Sequence, residues 1–291
     1  MRVLITGASG YLGRHLLPLL PAHWQTWAGY HAQPIAPQPR LTPITLDLAD
    51  PAVVQAALAS IRPQVVIHTA IARQPERFDG VIVQGSAAIA AAAAAVGARL
   101  IHLSTDIVLD GAAERYDETA LPCPEPVAGQ PDPLSGQGRA KARAERAVAD
   151  RHPDPVIVRT SLIYGFTPLD HSTSWLVEGL SRREPVTLFT DQIRCPVYAP
   201  DLAASLIELS ELPFSGVINL AGPTALSRYE FGLLLCRALD LDPSGLRPAL
   251  TPAGFPAPRQ LVLTGDLARR LLTTSRRSPY EVCRIPATQR P

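Results

Sequence analysis

Short apolar runs alternate with helix-like stretches along the first 165 residues of the chain. Runs typical of buried strands cover residues 3–6, 26–30, 65–69, 100–104 and 156–160. Asp50 and Pro51 form an N-cap and first-turn pair ahead of a helical stretch over residues 53–61. Gly97 ends an alanine-rich helical stretch over residues 87–96. Strands that alternate with helices predict a parallel sheet covered by helices, which is the doubly wound α/β class.

The pattern loosens after residue 165, where helices are predicted over residues 172–180, 201–209 and 231–239 and a strand over residues 217–220. Asp201 is the expected cap of the second of these helices, and Ser227 and Glu230 have capping-box spacing ahead of the third. We therefore expect a Rossmann-type domain over residues 1–165, with residues 190–222 returning to it. Residues 166–189 and 223–291 are expected to form a smaller C-terminal substrate-binding lobe.

The segment 121–133 holds five prolines and is predicted to be a loop. Two interpretations of it stay open, a lid over the site and a tolerated surface insertion.

Net charge bears on the expected partners, and cysteine spacing bears on metal sites and disulfides. The net charge of the 291 residues is +1 and no block of like charge stands out, so neither nucleic acid nor an anionic membrane is an expected partner. The cysteines form no C-x-x-C pair, which argues against a metal site or a disulfide framework. The chain enters a strand at once, and no apolar run approaches the roughly 18 residues of a membrane span. We expect a cytoplasmic protein that acts on a small molecule, with a homodimer as one option.

A glycine turn follows the first strand, in the order Thr6-Gly7-Ala8-Ser9-Gly10-Tyr11-Leu12-Gly13. Glycines allow a tight turn, let the backbone reach a pyrophosphate and pack the following helix on the strand, while the helix N-terminus offers free N–H groups to the anion. The turn predicts a bound nicotinamide dinucleotide. The expected contacts are Gly7, Ser9, Gly10, Tyr11, Leu12 and Gly13.

The end of the second strand bears on the choice between NADP and NAD. An acid there would bind the adenine ribose and select NAD, but this chain has Tyr30 and His31. We therefore favour NADP, with Arg14 and His31 near its extra phosphate, and keep NAD as an option. Asp47, after a third short strand over residues 45–48, either meets the adenine or is an ordinary polar residue at a strand end. Leu48 and the run Ala70, Ile71 and Ala72 are the remaining predicted cofactor contacts.

Two further groups are candidates for chemistry. Ser104, Thr105 and Asp106 end a strand at the carboxyl edge, where ligands bind in open parallel sheets. A hydroxyl there can donate a hydrogen bond to a substrate carbonyl, although Ser-Thr-Asp is also a common turn sequence. Lys141 is the only lysine among 27 basic residues. Because an ammonium and a guanidinium are not interchangeable at a tight site, its retention favours a functional role.

Several motifs together resemble one family. They are Thr6 to Gly13, Ser104-Thr105-Asp106 with residues 108–111, Gln137-Gly138-Arg139-Ala140-Lys141, Arg159-Thr160-Ser161 with Tyr164-Gly165, and residues 191–196 leading to Asp201. In this order they resemble an extended short-chain dehydrogenase/reductase of the dTDP-4-dehydrorhamnose reductase type, over nearly the whole chain. The resemblance implies an NAD(P)H-dependent reductase of the 4-keto group of a nucleotide-linked deoxysugar. It also implies that Thr105 orients the carbonyl and that Lys141 holds the nicotinamide ribose.

Two positions depart from the family pattern. The family has its proton-donating tyrosine four residues before the lysine, where this chain has Gln137, and an asparagine where Ile82 stands. A carboxamide polarises a carbonyl but supplies no proton at neutral pH, so its presence costs about 10²–10⁴-fold unless another group replaces the acid. Asp106, Glu118 and Tyr164 are the candidates for that group.

Three hypotheses follow. The first is a reductase with Thr105, Gln137, Lys141 and Asp106 as its catalytic residues and with Ser104, Thr105, Tyr164 and Arg194 in contact with substrate. The second is a catalytically degenerate binding protein, because the regulatory subunit of methionine adenosyltransferase belongs to the same structural group. The third is a tyrosine-to-glutamine change introduced to trap a substrate complex. For Arg194, a substrate phosphate contact and an ion pair with Asp191 or Asp201 carry equal weight.

Overall fold

The computed structural model describes residues 1–123 and 134–284. Seven parallel strands form its central sheet, in the order β11-β6-β5-β4-β1-β2-β3. In chain order the strands are β1 Arg2–Thr6, β2 Gln25–Tyr30, β3 Leu41–Thr45, β4 Val65–His68, β5 Arg99–Thr105, β6 Val156–Thr160, β7 Ile163–Tyr164, β8 Val186–Phe189, β9 Ile193–Arg194, β10 Val197–Tyr198, β11 Gly216–Asn219, β12 Leu226–Ser227 and β13 Leu246–Ala249. The strand order reverses beside β1, as in a doubly wound Rossmann-type fold.

Helices cover both faces of this sheet. They are α1 Tyr11–Leu16, α2 Pro51–Ile61, α3 Gly85–Ala95, α4 Gly136–Ala149, α5 His171–Ser181, α6 Ala199–Glu211, α7 Arg228–Ala238, α8 Asp266–Leu271 and α9 Pro279–Val282. Alternate residues of β1 enter different cores because successive strand residues point to opposite faces. Val3 and Ile5 pack with α1 and α6, whereas Leu4 packs with α2, α3 and α4.

The smaller lobe has its own apolar core, which includes Tyr164, Leu176, Phe231 and Leu235. Helices α5 and α7 pack on the parallel pair of β8 and β13, and β9 pairs with β12 in the antiparallel sense. The predicted capping box is present at the start of α7, where Ser227 and Glu230 bond reciprocally to each other's backbone. Strand β11 places part of the segment 190–222 in the large sheet. The domain boundaries drawn from the sequence stay a prediction.

Three local expectations are corrected. The third strand lies at Leu41–Thr45, earlier in the chain than the predicted residues 45–48, so Asp47 follows it by two residues. Asp201 lies in the first turn of α6 instead of capping it, and there it accepts hydrogen bonds from Arg277. Helical structure runs continuously over Pro75–Ala95, 21 residues that are long and apolar enough to cross a membrane.

That long helical stretch has its apolar side in the protein core. It begins with a short 3-10 turn, Pro75–Arg77, continues as a π-helical segment, Phe78–Gln84, and ends as α3. Ile82, Ile89 and Ala93 pack in the core on the α2–α4 face of the sheet. The packing is that of a buried helix in an α/β fold. The proline-rich segment 121–133, for which a lid was one interpretation, lies largely outside the described residues.

Candidate active site

A cavity of about 860 Å³ opens at the carboxyl ends of β1, β2, β4 and β5. Its lining brings together nearly all the site residues that the sequence suggests. These are Gly7, Ser9, Gly10, Tyr11, Leu12, Arg14, His31, Asp47, Leu48, Ala70, Ile71, Ala72, Ser104, Thr105, Asp106, Gln137, Lys141 and Arg194. Gly13, Tyr164 and the candidate acid Glu118 do not line it.

The glycine turn is shaped by close backbone contacts. Gly7 has a φ of 70°, and a Cβ at this position would lie 2.7 Å from the Cα of Ala70. A Cβ at Gly13 would lie 2.3 Å from the carbonyl oxygen of Ala8, so Gly13 lets α1 pack closely on the turn behind the cavity. The turn leaves the first N–H groups of α1 without side-chain caps, beside the cavity. This arrangement suits a pyrophosphate.

Several basic side chains line the cavity. Arg14, His31 and Arg77 lie near residues that follow β2 and β3, among them the acid Asp47, and Arg73 also lines the cavity. Asp47 lies 3.9 Å from the ring of His31 and 4.0 Å from the guanidinium of Arg77. Arg14 donates to the carbonyl oxygen of Ser9 at 3.1 Å and to the side chain of Gln33 at 3.0 Å. The excess of positive charge favours an anionic group on the ligand in this region.

Lys141 is buried, with 4% of its surface exposed, and its Nζ donates to the carbonyl oxygen of Leu103 at 2.7 Å. Burial lowers the pKa of Lys141 to about 8, against the opposing effect of the Glu145 carboxylate. Gln137 stands four residues earlier on α4, so both side chains occupy one face of the helix. The Gln137 amide donates to the carbonyl oxygen of Ala72 at 3.4 Å.

Thr105 and Asp106 belong to a buried polar network. The Thr105 hydroxyl donates to Asp106 at 3.1 Å, and the Ser161 hydroxyl donates to its other carboxylate oxygen at 2.6 Å. The Arg194 guanidinium lies 3.9 Å from Asp106. Burial raises the pKa of Asp106, although Arg194 and both hydroxyls favour its ionised form. The network holds the Thr105 hydroxyl in one place at the cavity wall.

A family model described as the RmlD substrate binding domain matches residues 1–278. The chain belongs to this family. It is 32% identical over 280 residues to a dTDP-4-keto-6-deoxy-D-glucose reductase of Streptomyces niveus, and the match covers 92% of this chain and 90% of that protein. It is 30% identical over 275 residues to the methionine adenosyltransferase 2 subunit beta of Xenopus tropicalis, covering 85% of this chain and 75% of that protein.

Solved structures of the RmlD family share the fold. A dTDP-4-dehydrorhamnose reductase of Bacillus anthracis, solved in complex with NADP, superposes with a TM-score of 0.79 at 25% identity, covering 97% of this chain and 96% of that one. A dTDP-4-dehydrorhamnose reductase of Clostridium acetobutylicum superposes with a TM-score of 0.78 at 26% identity, covering 97% and 96% of the two chains.

Two replacement acids suggested by the sequence lie away from the cavity of this RmlD-family chain. Tyr164 is 1% exposed, packs against Phe166, Tyr198 and Phe231, and has a pKa raised by burial. Glu118 accepts the backbone N–H of Asn219 at 3.2 Å and is not among the lining residues. Tyr164 therefore serves the core of the smaller lobe, and of the three candidates only Asp106 lines the cavity.

Two more side chains have structural partners that the sequence did not reveal. The Ser104 hydroxyl donates to Glu145, which also forms a buried ion pair with Arg159 at 2.8 Å. Arg194 pairs with Asp106 rather than with Asp191 or Asp201, and it donates to the carbonyl oxygens of residues 193, 258 and 259. The Ser104 hydroxyl and the Arg194 guanidinium therefore both bind groups of the protein itself at the edge of the cavity.

Sequence reasoning missed several residues of the cavity wall, among them Arg73, Arg77, Asp170 and Ser161. Asp170 caps α5 by accepting the N–H groups of Ser172 and Thr173. An Asp two residues before a Ser and ahead of an apolar helix is a readable cap signal, but nothing in it indicates a cavity. Ile82, at the family's asparagine position, is 1% exposed and packs in the apolar core instead of offering a polar group.

Proposed function

We propose that the protein is an NADPH-preferring reductase of the keto group of a nucleotide-linked deoxysugar, with NADH as an alternative cofactor. The observation that carries this proposal is the meeting of the glycine turn, Lys141 and Thr105 in one cavity. The reductases to which the chain is similar in sequence, and the family structure solved with NADP, support it.

The chain's residues fit a dinucleotide. Gly7 permits the tight turn against the Ala70 backbone, the uncapped N–H groups at the start of α1 suit a pyrophosphate, and the basic residues of the cavity suit a ribose phosphate. Lys141 would hold the nicotinamide ribose, as the family resemblance implies. When bound, NADPH supplies the hydride that the carbonyl carbon accepts.

Thr105 and Gln137 polarise the substrate carbonyl. Both line the cavity: Gln137 has a second N–H besides the one that Ala72 accepts, and Thr105 turns its single hydroxyl proton from Asp106 to the carbonyl oxygen when substrate binds. Asp106 is a positioning residue, because it accepts from Thr105 and holds that hydroxyl at the wall. Donors fixed before the reaction stabilise the negative charge that develops on the carbonyl oxygen.

Lys141 is the proton source in this proposal. Gln137 has no acidic proton, whereas a buried ammonium with a pKa of about 8 is a stronger acid than an ordinary lysine. A proton leaves Nζ for the oxygen of the reduced substrate as the carbon accepts hydride, and the neutral amine then recovers a proton from solvent. An acid with a pKa near the working pH is efficient in such a transfer.

The test follows NADPH oxidation with a panel of dTDP-4-keto-6-deoxysugars. The unaltered chain and Gln137→Tyr are compared, with Lys141→Met as the blank. Turnover of the unaltered chain should exceed the blank, and restoring the tyrosine should raise it by up to about 10²–10⁴-fold. Turnover that stays at the blank level although NADPH binds would contradict the reductase proposal.

A second candidate function is that of an NADP-binding regulatory subunit. Gln137 at the acid position and the 30% identity to methionine adenosyltransferase 2 subunit beta favour it. In that case the chain binds NADP⁺ but reduces no ketosugar, and Asp106→Asn leaves NADP⁺ affinity unchanged. Activity that appears only with Gln137→Tyr would agree with this function or with an introduced trap. The cytoplasmic location and the homodimer stay predictions.

A further inference from the structure

A second cleft, of about 540 Å³, lies between the chain that follows β11 and helix α8. None of its lining residues lines the first cavity. Its walls come from residues 221–223, Ala225, residues 262–266 and residues 272–276, together with Arg115, Cys195 and Arg269. Its volume falls in the range of small-molecule sites, roughly 300–1,000 Å³.

The cleft is basic. Arg115, Arg269 and Arg276 line it, and Asp266 is the one acid among its lining residues. Two guanidinium groups converge on Gly265, because a Cβ built there would lie 3.6 Å from an Nη of Arg269 and 3.7 Å from an Nη of Arg276. Arg269 is paired with Asp266, which leaves two arginines in excess.

Arg276 is a half-buried cation with one unsatisfied hydrogen-bond donor. One of its Nη atoms is fully buried and has no hydrogen-bond partner within residues 1–123 and 134–284. The neighbouring carboxylates are already engaged, Asp201 with Arg277 and Glu208 with the backbone N–H groups of Thr273 and Thr274. Burial and the positive charge of Arg269 lower the pKa of Arg276, against the opposing effect of the Asp201 and Glu208 carboxylates. An anion in the cleft would meet the other Nη atom of Arg276, the one 3.7 Å from the Cβ position of Gly265, and would balance the charge of the guanidinium.

We propose that the cleft binds the phosphate group of a small phosphorylated molecule. Two guanidinium groups that meet at one glycine present several N–H donors, and the planar fork of arginine matches phosphate oxygens. The glycine matters because it leaves the space between the two groups without a side chain. The site is separate from the cavity of the proposed reductase, so it does not depend on that function.

The test measures binding of inorganic phosphate and of glycerol 2-phosphate to the full chain. The protein is kept in excess NADP⁺, so that the glycine turn is occupied, and ionic strength is held constant with sodium chloride. Saturable stabilisation against heat reports binding. Arg276→Gln and Arg269→Gln should each weaken phosphate binding by at least about tenfold, which corresponds to about 1.4 kcal/mol. Tighter binding of the monoester than of the free ion would indicate that the natural ligand is an ester.

The matched control is Arg270→Gln, because Arg270 is an exposed neighbour on α8 that does not line the cleft. It should bind phosphate as the unaltered chain does. If Arg276→Gln fails to fold, the exposed Arg269 still decides the matter. Equal affinities of the Arg269→Gln and Arg270→Gln variants, or no saturable response of the unaltered chain, would overturn the proposal.

Discussion

At the residue scale, the acidity of the buried Lys141 ammonium should set the pH dependence of the proposed reaction. Its pKa of about 8 results chiefly from burial. Because the ammonium is the form that donates, kcat should be level below about pH 8 and fall about tenfold per pH unit above it. A profile of kcat between pH 6 and 10, at saturating NADPH and ketosugar, measures this.

The pH at which kcat begins to fall, here called the alkaline limb, also distinguishes Lys141 from Asp106 as the proton donor. If Asp106 were the donor, turnover would require its protonated form, and the limb would follow the Asp106 carboxyl, whose pKa burial raises, instead of the pKa of about 8 of Lys141. A limb below pH 7 would therefore reject Lys141 as the proton source. Gln137→Tyr supplies the control, since a phenol adds a second donor and should make the limb differ from that of the unaltered chain.

Arg14 is the residue on which the preference for NADP over NAD is tested. Its side chain lies at the edge of the glycine turn, where it donates to Ser9 and Gln33. A charge-assisted hydrogen bond is worth about 1.5–3 kcal/mol, so Arg14→Ala should weaken NADP⁺ binding by about 10- to 100-fold. NAD⁺ binding should change far less, because NAD⁺ lacks the extra phosphate. Titration calorimetry with both dinucleotides checks this.

The control for that measurement is Arg143→Ala. Arg143 pairs with Asp79 at 3.1 Å and does not line the cavity. It should leave both dissociation constants unchanged. Equal losses of NADP⁺ and NAD⁺ affinity in Arg14→Ala would mean that Arg14 only shapes the turn.

At the scale of elements, the close packing of α1 on the turn that follows β1 requires a glycine at position 13. A Cβ at Gly13 would meet the Ala8 carbonyl oxygen at 2.3 Å, so α1 must move outward in Gly13→Ala. Overpacking of this kind costs about 1–3 kcal/mol, and NADP⁺ affinity should fall as well because the first turn of α1 shifts. Urea unfolding and NADP⁺ titration measure the two effects.

Gly136→Ala is the matched glycine control. A Cβ at Gly136 would lie 3.7 Å from the Phe78 ring, which is an ordinary contact, and alanine favours the helix. Its stability should equal or exceed that of the unaltered chain. If Gly13→Ala behaved like this control, close packing of α1 would not be what positions the turn.

The sequence predicted the elements whose signals are local. The five apolar runs became strands of the large sheet, and the Ser227–Glu230 spacing became a capping box, because burial and side-chain caps act over a few residues. The sequence did not predict the π-helical segment Phe78–Gln84 or the position of β3 at Leu41–Thr45. Both depend on packing against α4 and on pairing with β2, which lie far away in the chain.

At the scale of the whole molecule, motifs predicted which side chains reach the cavity better than they predicted what those side chains contact. Ser104 ends a strand at the expected edge, yet its hydroxyl points to Glu145. Tyr164 follows a family motif but packs in the smaller lobe. A motif fixes the position of a residue in the fold, whereas its partners come from segments that meet only after the chain has folded.

Glu145 links the stability of the whole fold to the chemistry of the cavity. From α4 it binds Ser104 on β5 and Arg159 on β6, and its charge raises the pKa of Lys141. Glu145→Gln leaves the Arg159 charge buried without its counterion, so the free energy of unfolding in urea should fall by about 3–5 kcal/mol. The alkaline limb of kcat should also move below pH 8, since a charge that favours the ammonium is lost.

The control is Glu178→Gln, which removes an exposed pair with Arg182 and should cost at most about 0.5 kcal/mol without moving the limb. If the alkaline limb of Glu145→Gln lies at the same pH as that of the unaltered chain, the Glu145–Arg159 pair has a structural role only and does not affect the acidity of Lys141.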